Sequence, residues 1–327
     1  MLKIAFAGSF AARMAEPVRT HLSLPCQLLV VADESDILPR LADVEVLVSM
    51  GFSARMAEAA PRLRLLQVPG AGLDRIDRAA LRPGTRLANA YGHEAGIAEY
   101  IIGAMIALSR GFSRLDAKLR QGQWESQWAI AEAAPPLWPE LAGTCLGIVG
   151  YGHIGRALAS RAAAFAIEVR AVRGTPTIET MDGVALVGGP DRLDDLLQRV
   201  DHLAITLPLL PATRNLIDAR RLRLMKSTAY LINVSRAEIV DQTALYQALA
   251  RAEIAGAALD VWYRYPSSGE PMLPAALPFH ELSNVLMTPH ISGWTQGMLA
   301  ARAELIARNI ERTARGEPPL NAIEAVG

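Results

Sequence analysis

Short apolar runs alternate with amphipathic stretches from the first residues of this chain onward. Up to residue 91 the runs fall at 2–7, 27–31, 45–49, 63–68 and 85–89 and read as strands, while 11–22, 37–42, 54–60 and 74–81 read as helices. That alternation predicts a parallel sheet covered by helices on both faces. One long helix is expected over 94–120, then an irregular connection holding Gly122, Trp124, Trp128 and the Pro135-Pro136 pair. The alternation resumes at Thr144, with strands expected at 145–149, 167–172, 184–187, 202–206, 229–234, 257–261 and 285–287, and a last helix from Thr295 to about Arg315.

The first five strands and the last helix lie at opposite ends of the chain, outside the second alternating unit. The final helix is therefore expected to fold back on the N-terminal unit. The prediction is two doubly wound parallel-sheet α/β domains, one discontinuous (1–91 and 292–327) and one continuous (92–291). A length of 327 residues fits two cores better than one. Two crossings would join the domains, near 91–94 and 290–295, and a cleft so joined can open and close on a ligand; short passive hinges are the alternative.

Composition narrows the class without naming a chemistry. The chain is 51% hydrophobic and 20% charged, with 33 Lys and Arg balancing 33 Asp and Glu, so nothing biases it toward nucleic acid or an acidic membrane. Cys26 and Cys145 sit in apolar runs and read as buried reduced thiols, which fits the cytoplasm. The apolar start is too short for a signal peptide and is broken by Gly8 and Ser9. The most apolar later stretch, 100–108, falls well below the ~20 residues of a membrane span. No Cys/His spacing of the zinc type occurs, so no metal site is expected.

The most informative local motif is Gly150-Tyr151-Gly152-His153-Ile154-Gly155, between an apolar strand and an alanine-rich helix. In that setting the first glycine permits the tight turn, the second admits a pyrophosphate close to backbone, and the third lets helix pack on strand. A dinucleotide is implied, its phosphates at the helix N-terminus. NAD-binding units carry an acidic residue about twenty positions further on, for the ribose 2′-hydroxyl. Here Arg173 holds that place, with Thr175 close behind, and a guanidinium suits a 2′-phosphate. NADP(H) is therefore favoured, NAD(H) remaining open if Arg173 only stacks on adenine.

Further pieces extend over nearly the whole chain: Gly70-Ala71-Gly72-Leu73-Asp74 with Ile76-Asp77, Ala98-Glu99, Leu207-Pro208 with Pro211-Ala212-Thr213-Arg214, Leu231 to Arg236 with Val240-Asp241, Gly256 to Val261, and Thr288-Pro289-His290-Ile291-Ser292-Gly293. In this order they resemble the D-isomer-specific 2-hydroxyacid dehydrogenases. The resemblance implies a larger Rossmann dinucleotide-binding domain and a smaller flavodoxin-like substrate domain. It implies hydride transfer between NADP(H) or NAD(H) and a small 2-oxo or 2-hydroxy acid, D-specific and running as a reductase. It implies Arg236 as the cation that grips carboxylate and carbonyl and His290 as the proton donor. The amides of Ala71 and Gly72 match the substrate-carboxylate clamp, with Met50-Gly51-Phe52 and His93 lining the pocket. The cofactor falls to Gly150, Gly152, His153, Ile154, Gly155, Arg173, Thr175, Leu207, Pro208, Thr213, Val234, Ser235, Asp260, Ser292 and Gly293, with Asp260 holding the nicotinamide carboxamide. Family members dimerise through the region of the long helix, so a homodimer is expected.

The chain departs from the family at three places. Arg173 is the first. The second is the histidine's partner: the family has Glu-Pro five residues past the aspartate of Leu-Asp-Val, where this chain has Tyr265-Pro266. Glu270-Pro271 follows five residues later, so Tyr265, Glu270 or neither could serve, and with neither the histidine is less basic. The third is His93, where members often have Asn; Ala237, where Gly is usual, is a smaller change. These departures leave the substrate open, glyoxylate or hydroxypyruvate being examples. Two other readings stay open: a formate-dehydrogenase-like oxidation, and a dinucleotide-sensing interaction protein on the same fold.

Overall fold

A computed structural model describes residues 1–128, 137–175, 184–266 and 269–324; Pro135-Pro136 lie outside them. The chain divides into two compact units, Met1–His93 with Thr295–Gly327, and Glu94–Trp294.

The first unit begins β1 (Leu2–Ala7), α1 (Ser9–His21), β2 (Cys26–Val31), β3 (Val46–Ser49), α2 (Ala54–Ala59), β4 (Leu65–Gln67) and β5 (Arg86–Ala88). These five strands pair in parallel in the order β5-β4-β3-β1-β2. All of β3 is buried, which is why it reads as an unbroken apolar run rather than an alternating one. One face of the sheet packs Ile4, Phe6, Val46 and Val48 with Met14 and Val18 of α1 and with Ala303, Ile306 and Ile310 from near the chain's end. The other face gathers Leu47, Leu66, Ile37, Met56 and Phe52. Phe52 is only 4% exposed, its side chain packed within that core.

Two expected helices are not formed. Residues 37–40 belong to a run of 3-10 turns, Glu34–Arg40, started by the Asp33 carboxylate accepting from Ser35 N–H and containing Pro39, which has no N–H to give a helix. Over 74–81 only Arg78–Ala80 is helical, because Ile76 bridges in parallel to Phe52. Phe52 donates to the Arg75 carbonyl at 3.0 Å and accepts from Asp77 N–H at 2.9 Å, so backbone groups a helix would need are taken.

The second unit runs α3 (Glu94–Arg110), α4 (Phe112–Leu119), β6 (Cys145–Val149), α5 (His153–Ala163), β7 (Glu168–Val172), β8 (Val184–Gly188), α6 (Leu193–Leu197), β9 (His202–Ile205), α7 (Ala219–Leu222), β10 (Tyr230–Asn233), α8 (Gln242–Ala250), β11 (Gly256–Leu259) and β12 (Val285–Met287). The single helix expected over 94–120 is broken at Gly111, whose φ of +64° lies in the left-handed region, and α3 and α4 meet there at a 56° bend. No single helix among the described residues is long and apolar enough to cross a membrane. Its seven strands are all parallel, in the order β12-β11-β10-β9-β6-β7-β8. Ile97, Ile101, Ile102 and Met105 of α3 pack with Leu158, Ala159 and Ala162 of α5 over one face, while Leu196, Leu203, Leu231, Leu245 and Phe279 fill the other. Strand order reverses between β6 and its neighbours β7 and β9, and ligands of such sheets bind at the carboxyl ends there. The chain returns to the first unit through α9 (Gln296–Ala314) and β13 (Ala322–Ile323), which adds antiparallel to β5 as an edge the sequence pattern did not disclose.

His202 at the head of β9 is 3% exposed and stacks on Tyr230 at 5.6 Å between ring centroids. Its Nε2 meets the Ser109 hydroxyl at 3.1 Å, and burial pushes its pKa down to about 4. An unfolded chain regains the ordinary value near 6.5, so on acidification the unfolded state takes a proton that the folded state refuses. Stability carried by the neutral ring is full above pH 6.5 and lost as pH falls toward 4, by about 2 kcal/mol at pH 5. Urea unfolding of His202→Phe at pH 7 and pH 5 is expected to show a smaller acid loss than the parent chain by that amount; an identical loss would remove His202 as the cause.

Candidate active site

The end of β6 is shaped by three glycines, two of which leave no room for a side chain. Gly150 has φ +108°, and a Cβ there would lie 2.5 Å from the backbone nitrogen of Leu207, so Leu207-Pro208 after β9 presses directly on the turn. A Cβ on Gly155 would lie 2.8 Å from the Gly150 carbonyl oxygen. A Cβ on Gly152 would meet nothing within 4 Å. Gly152 precedes α5 without a side-chain cap, so the first turn of an eleven-residue helix opens toward that space with His153 and Ile154. Uncapped helix N–H groups beside an open approach fit a dinucleotide's pyrophosphate.

Gly150 N–H donates to the Val172 carbonyl at 2.9 Å, and Arg173 is the next residue, held by its own N–H on Gly188 at 3.0 Å. Among the described residues the Arg173 guanidinium makes no hydrogen bond or ion pair. Thr175 beside it is exposed. Thr213 is otherwise employed: its hydroxyl donates to the Pro208 carbonyl at 2.9 Å and accepts from Leu210 N–H at 2.7 Å, closing the turn that follows Leu207.

Past β10, Asn233 is 1% exposed and its amide sets the turn, accepting from Ser235 N–H at 3.1 Å and donating to the Arg236 carbonyl at 3.0 Å. Ser235 donates to the Leu207 carbonyl, tying this turn to the glycine turn, and Val234 is buried behind it. Arg236 leaves the turn half-buried.

The loop after β12 is organised by Asp260, which is fully buried at the end of β11. One carboxylate oxygen accepts from the Thr288 hydroxyl at 2.6 Å and from Ile291 N–H at 2.8 Å, and the other from Ser292 N–H at 2.9 Å. Thr288 spends its only proton on Asp260, so the Tyr100 hydroxyl, 2.7 Å away on α3, must be the donor to Thr288. Burial holds that phenol protonated, its pKa pushed up to about 12. Trp262 Nε1 donates to the Thr288 carbonyl at 2.8 Å. His290 sits inside this frame with φ +58°, a conformation rare for a side-chain-bearing residue and sustained here by bonds on both sides. Gly293 follows the pinned Ser292 amide.

The partner of His290 is now defined: the Tyr265 hydroxyl is 2.8 Å from Nδ1 and also accepts from Trp262 N–H at 3.3 Å. A ring nitrogen has one in-plane position, so Tyr265 fills it and Nε2 is the ring's other edge. A phenol accepts from Nδ1–H of the cation or donates to the bare nitrogen of the neutral ring, but it brings no charge to favour the cation. Desolvation pushes the His290 pKa below its ordinary value, Asp260 opposes the shift, and the positive charge of Arg236 adds to it.

In the first unit, the Asn89 amide donates to the Ala71 carbonyl at 3.0 Å and Ala90 N–H to the Gly70 carbonyl at 3.1 Å, fixing the turn after β4. The N–H groups of Ala71 and Gly72 have no partner among the described residues. His93 follows β5 and is held by Arg302 of α9. Tyr100, Trp262 and Arg302 carry no motif of their own, and pattern alone does not single them out; Asn233 and Thr288 lie inside the quoted motifs, but only their contacts give them a role.

Comparison with known proteins agrees with this geometry. Residues 102–292 match the family described as D-isomer specific 2-hydroxyacid dehydrogenase, NAD binding domain. The chain belongs to the D-isomer specific 2-hydroxyacid dehydrogenases. It is 34% identical over 294 residues to the glyoxylate reductase of Thermofilum pendens, covering 87% of this chain and 82% of that protein. It is 30% identical over 295 residues to the glycerate dehydrogenase of Methylorubrum extorquens, covering 89% and 88%. The solved 2-hydroxyacid dehydrogenase from Ketogulonicigenium vulgare Y25 superposes with a TM-score of 0.80 at 29% identity, covering 99% of each chain. This dehydrogenase is thus an oxidoreductase with a nicotinamide dinucleotide cofactor, and the glycine turn fits that cofactor.

Two glycine substitutions separate folding of the turn from use of it. Gly152→Ala is expected to melt like the parent and to lose at least tenfold in NADPH affinity by fluorescence titration, because its methyl enters the open approach. Gly150→Ala is expected to lower the melting temperature as well, since its methyl strikes the Leu207 backbone. Full NADPH affinity in Gly152→Ala would move the pyrophosphate elsewhere.

Proposed function

We propose that this dehydrogenase reduces small 2-oxo acids to D-2-hydroxy acids with NADPH, Arg236 and His290 acting on the substrate. The observation that carries the reading is the loop pinned by Asp260, which holds His290 in a strained backbone with one ring nitrogen engaged and the other left to react. Bound along the glycine turn, the dinucleotide supplies a hydride to the carbonyl carbon. Arg236 pairs with the substrate carboxylate and draws charge onto the carbonyl oxygen. His290 gives its Nε2 proton to the oxygen that becomes the hydroxyl, its Nδ1–H remaining on Tyr265. The amides of Ala71 and Gly72, with no partner among the described residues, suit an anion such as a carboxylate. Asp260 has lone pairs beyond the three donors it already accepts, enough for a carboxamide N–H.

NADP(H) is favoured by Arg173, an unpaired guanidinium among the described residues, one position past the strand end bonded to Gly150. Turnover of glyoxylate and hydroxypyruvate with NADPH and with NADH tests both parts. NADPH is expected to be the better donor, and Arg173→Asp to cut its advantage about a hundredfold, ~2.7 kcal/mol. NADPH binding without turnover of any 2-oxo acid would end the reductase reading, and an unchanged preference in Arg173→Asp would end the role of Arg173.

Reduction needs the protonated ring. Because the His290 pKa is lowered, the active form declines from a lower pH than an unperturbed histidine allows, and reductive kcat/KM falls as pH rises through that value. Tyr265→Glu places a carboxylate on Nδ1 and is expected to move that limb up by about one pH unit. An unmoved limb would mean that Tyr265 does not govern the ring.

A homodimer and a cytoplasmic location complete the reading. Phe112, Leu119, Trp124 and Trp128 are more than half exposed, an apolar surface that a second copy would cover. Both cysteines are free, and burial raises their pKa values, consistent with a reducing compartment. Sedimentation equilibrium should read twice the 35.2 kDa chain mass, falling toward one in Trp124→Ser/Trp128→Ser.

A further inference from the structure

The segment that follows α9 reaches the turn after β4 through buried amides of the first unit. Asn309 on α9 is fully buried, and its side chain pairs with Leu320 as a neighbouring strand would: Oδ1 accepts from Leu320 N–H at 2.6 Å and Nδ2 donates to the Leu320 carbonyl at 3.0 Å. The other Nδ2 proton goes to Oε1 of Gln67 on β4 at 2.7 Å, across 242 residues of chain. Gln67 is equally buried, and its Nε2 donates to the Val68 carbonyl at 3.0 Å and to the Ala88 carbonyl at 3.3 Å. β13 pairs with the same stretch of β5, Ala322 opposite Ala88, and the Asn321 carbonyl accepts from Asn89 N–H at 3.4 Å.

Asn89, 2% exposed, carries the connection into the turn. Its Nδ2 donates to the Ala71 carbonyl at 3.0 Å, while Ala90 N–H donates to the Gly70 carbonyl at 3.1 Å. The C=O and N–H of one trans peptide lie in a plane and point in opposite directions. Tying the Gly70 carbonyl to Ala90 therefore turns Ala71 N–H the other way, and tying the Ala71 carbonyl to Asn89 does the same for Gly72 N–H. Two successive amides are thus aimed away from residues 89 and 90, and neither has a partner among the described residues. Successive N–H groups aimed one way make a concavity for an anion.

We propose that Asn89 and Asn309 are positioning residues for the substrate anion: Asn89 aims the amides of Ala71 and Gly72, and Asn309, through Leu320 and Gln67, holds the strand edge that carries Asn89. An apolar residue at 309 would leave the Leu320 N–H and carbonyl and the Gln67 Oε1 without partners, in a place where water does not reach them. The proposal rests on the reading of these amides as receivers of the carboxylate.

Hydrogen exchange of the full-length chain reads this connection without substrate. The Ala90 amide is expected to be protected in the parent protein; exchange at the open-chain rate would overturn the proposal, and that measurement needs no variant. Asn309→Leu is expected to speed Ala90 exchange about tenfold and to leave the amides of β1 and β2 as in the parent. A uniform rise through the sheet, or no change at Ala90, would overturn the positioning role of Asn309. In kinetics with glyoxylate, Asn89→Ala is expected to raise KM about tenfold, with kcat within twofold and NADPH affinity unchanged. Asn309→Leu should raise KM less, and should add nothing in an Asn89→Ala background; an equal rise in both backgrounds would show that Asn309 acts elsewhere. Faster Ala90 exchange with unchanged KM would overturn the carboxylate reading of the amides, whereas raised KM in Asn89→Ala with unchanged exchange in Asn309→Leu would keep that reading and overturn the reach of Asn309.

Discussion

A carboxylate buried away from water must find donors for its lone pairs or be driven to neutrality, and Asp260 finds three in one loop. That demand organises much of the loop at the carboxyl end of β11 and β12. The Thr288 hydroxyl and the amides of Ile291 and Ser292 converge on it, and the residue they bracket, His290, takes up a left-handed backbone. Tyr100 extends the chain of donors to α3, which is anchored by its own apolar face against α5. Removing the side chain would leave the loop's amides without their acceptor, and the strained backbone at His290 would lose what sustains it.

The same economy recurs at the other turns of this edge. Asn233 spends its amide on the turn carrying Arg236, and Ser235 links that turn to Leu207, which in turn sits against Gly150. The turns carrying Arg236 and His290 and the glycine turn are thus held by short polar contacts and close packing along the carboxyl ends of β6, β9, β10 and β11. Side chains held by packed neighbours keep their geometry without reorganising during reaction, which is where such sites gain most. The replacement of a carboxylate by Tyr265 beside His290 alters charge while keeping the hydrogen bond. The result is a ring that is oriented but not made more basic.

Much of this was legible in the amino-acid sequence. The parallel strands of both sheets follow from short apolar runs, the tight turn after β6 from glycines between strand and helix, and the family from ordered motifs down the chain. Elements that depend on one distant partner were not legible. The helix expected over 74–81 gives way to pairing between Ile76 and Phe52, and Phe52 itself turns into the core. The helix over 94–120 breaks at Gly111, where local propensity tolerates a glycine in either conformation and only packing chooses.

The sequence by itself determined the chemistry available: which residues carry charge, which glycines allow close approach, and which apolar runs must be buried. Those are properties of residue type and spacing, and they need no partner to be read. Tertiary structure alone decided the pairings: Tyr265 on His290, Tyr100 through Thr288 to Asp260, and Arg302 on His93 across 209 residues. Each is a contact between side chains far apart in the chain. A hydrogen bond of that kind depends on a few tenths of an ångström, which folding sets and sequence spacing does not.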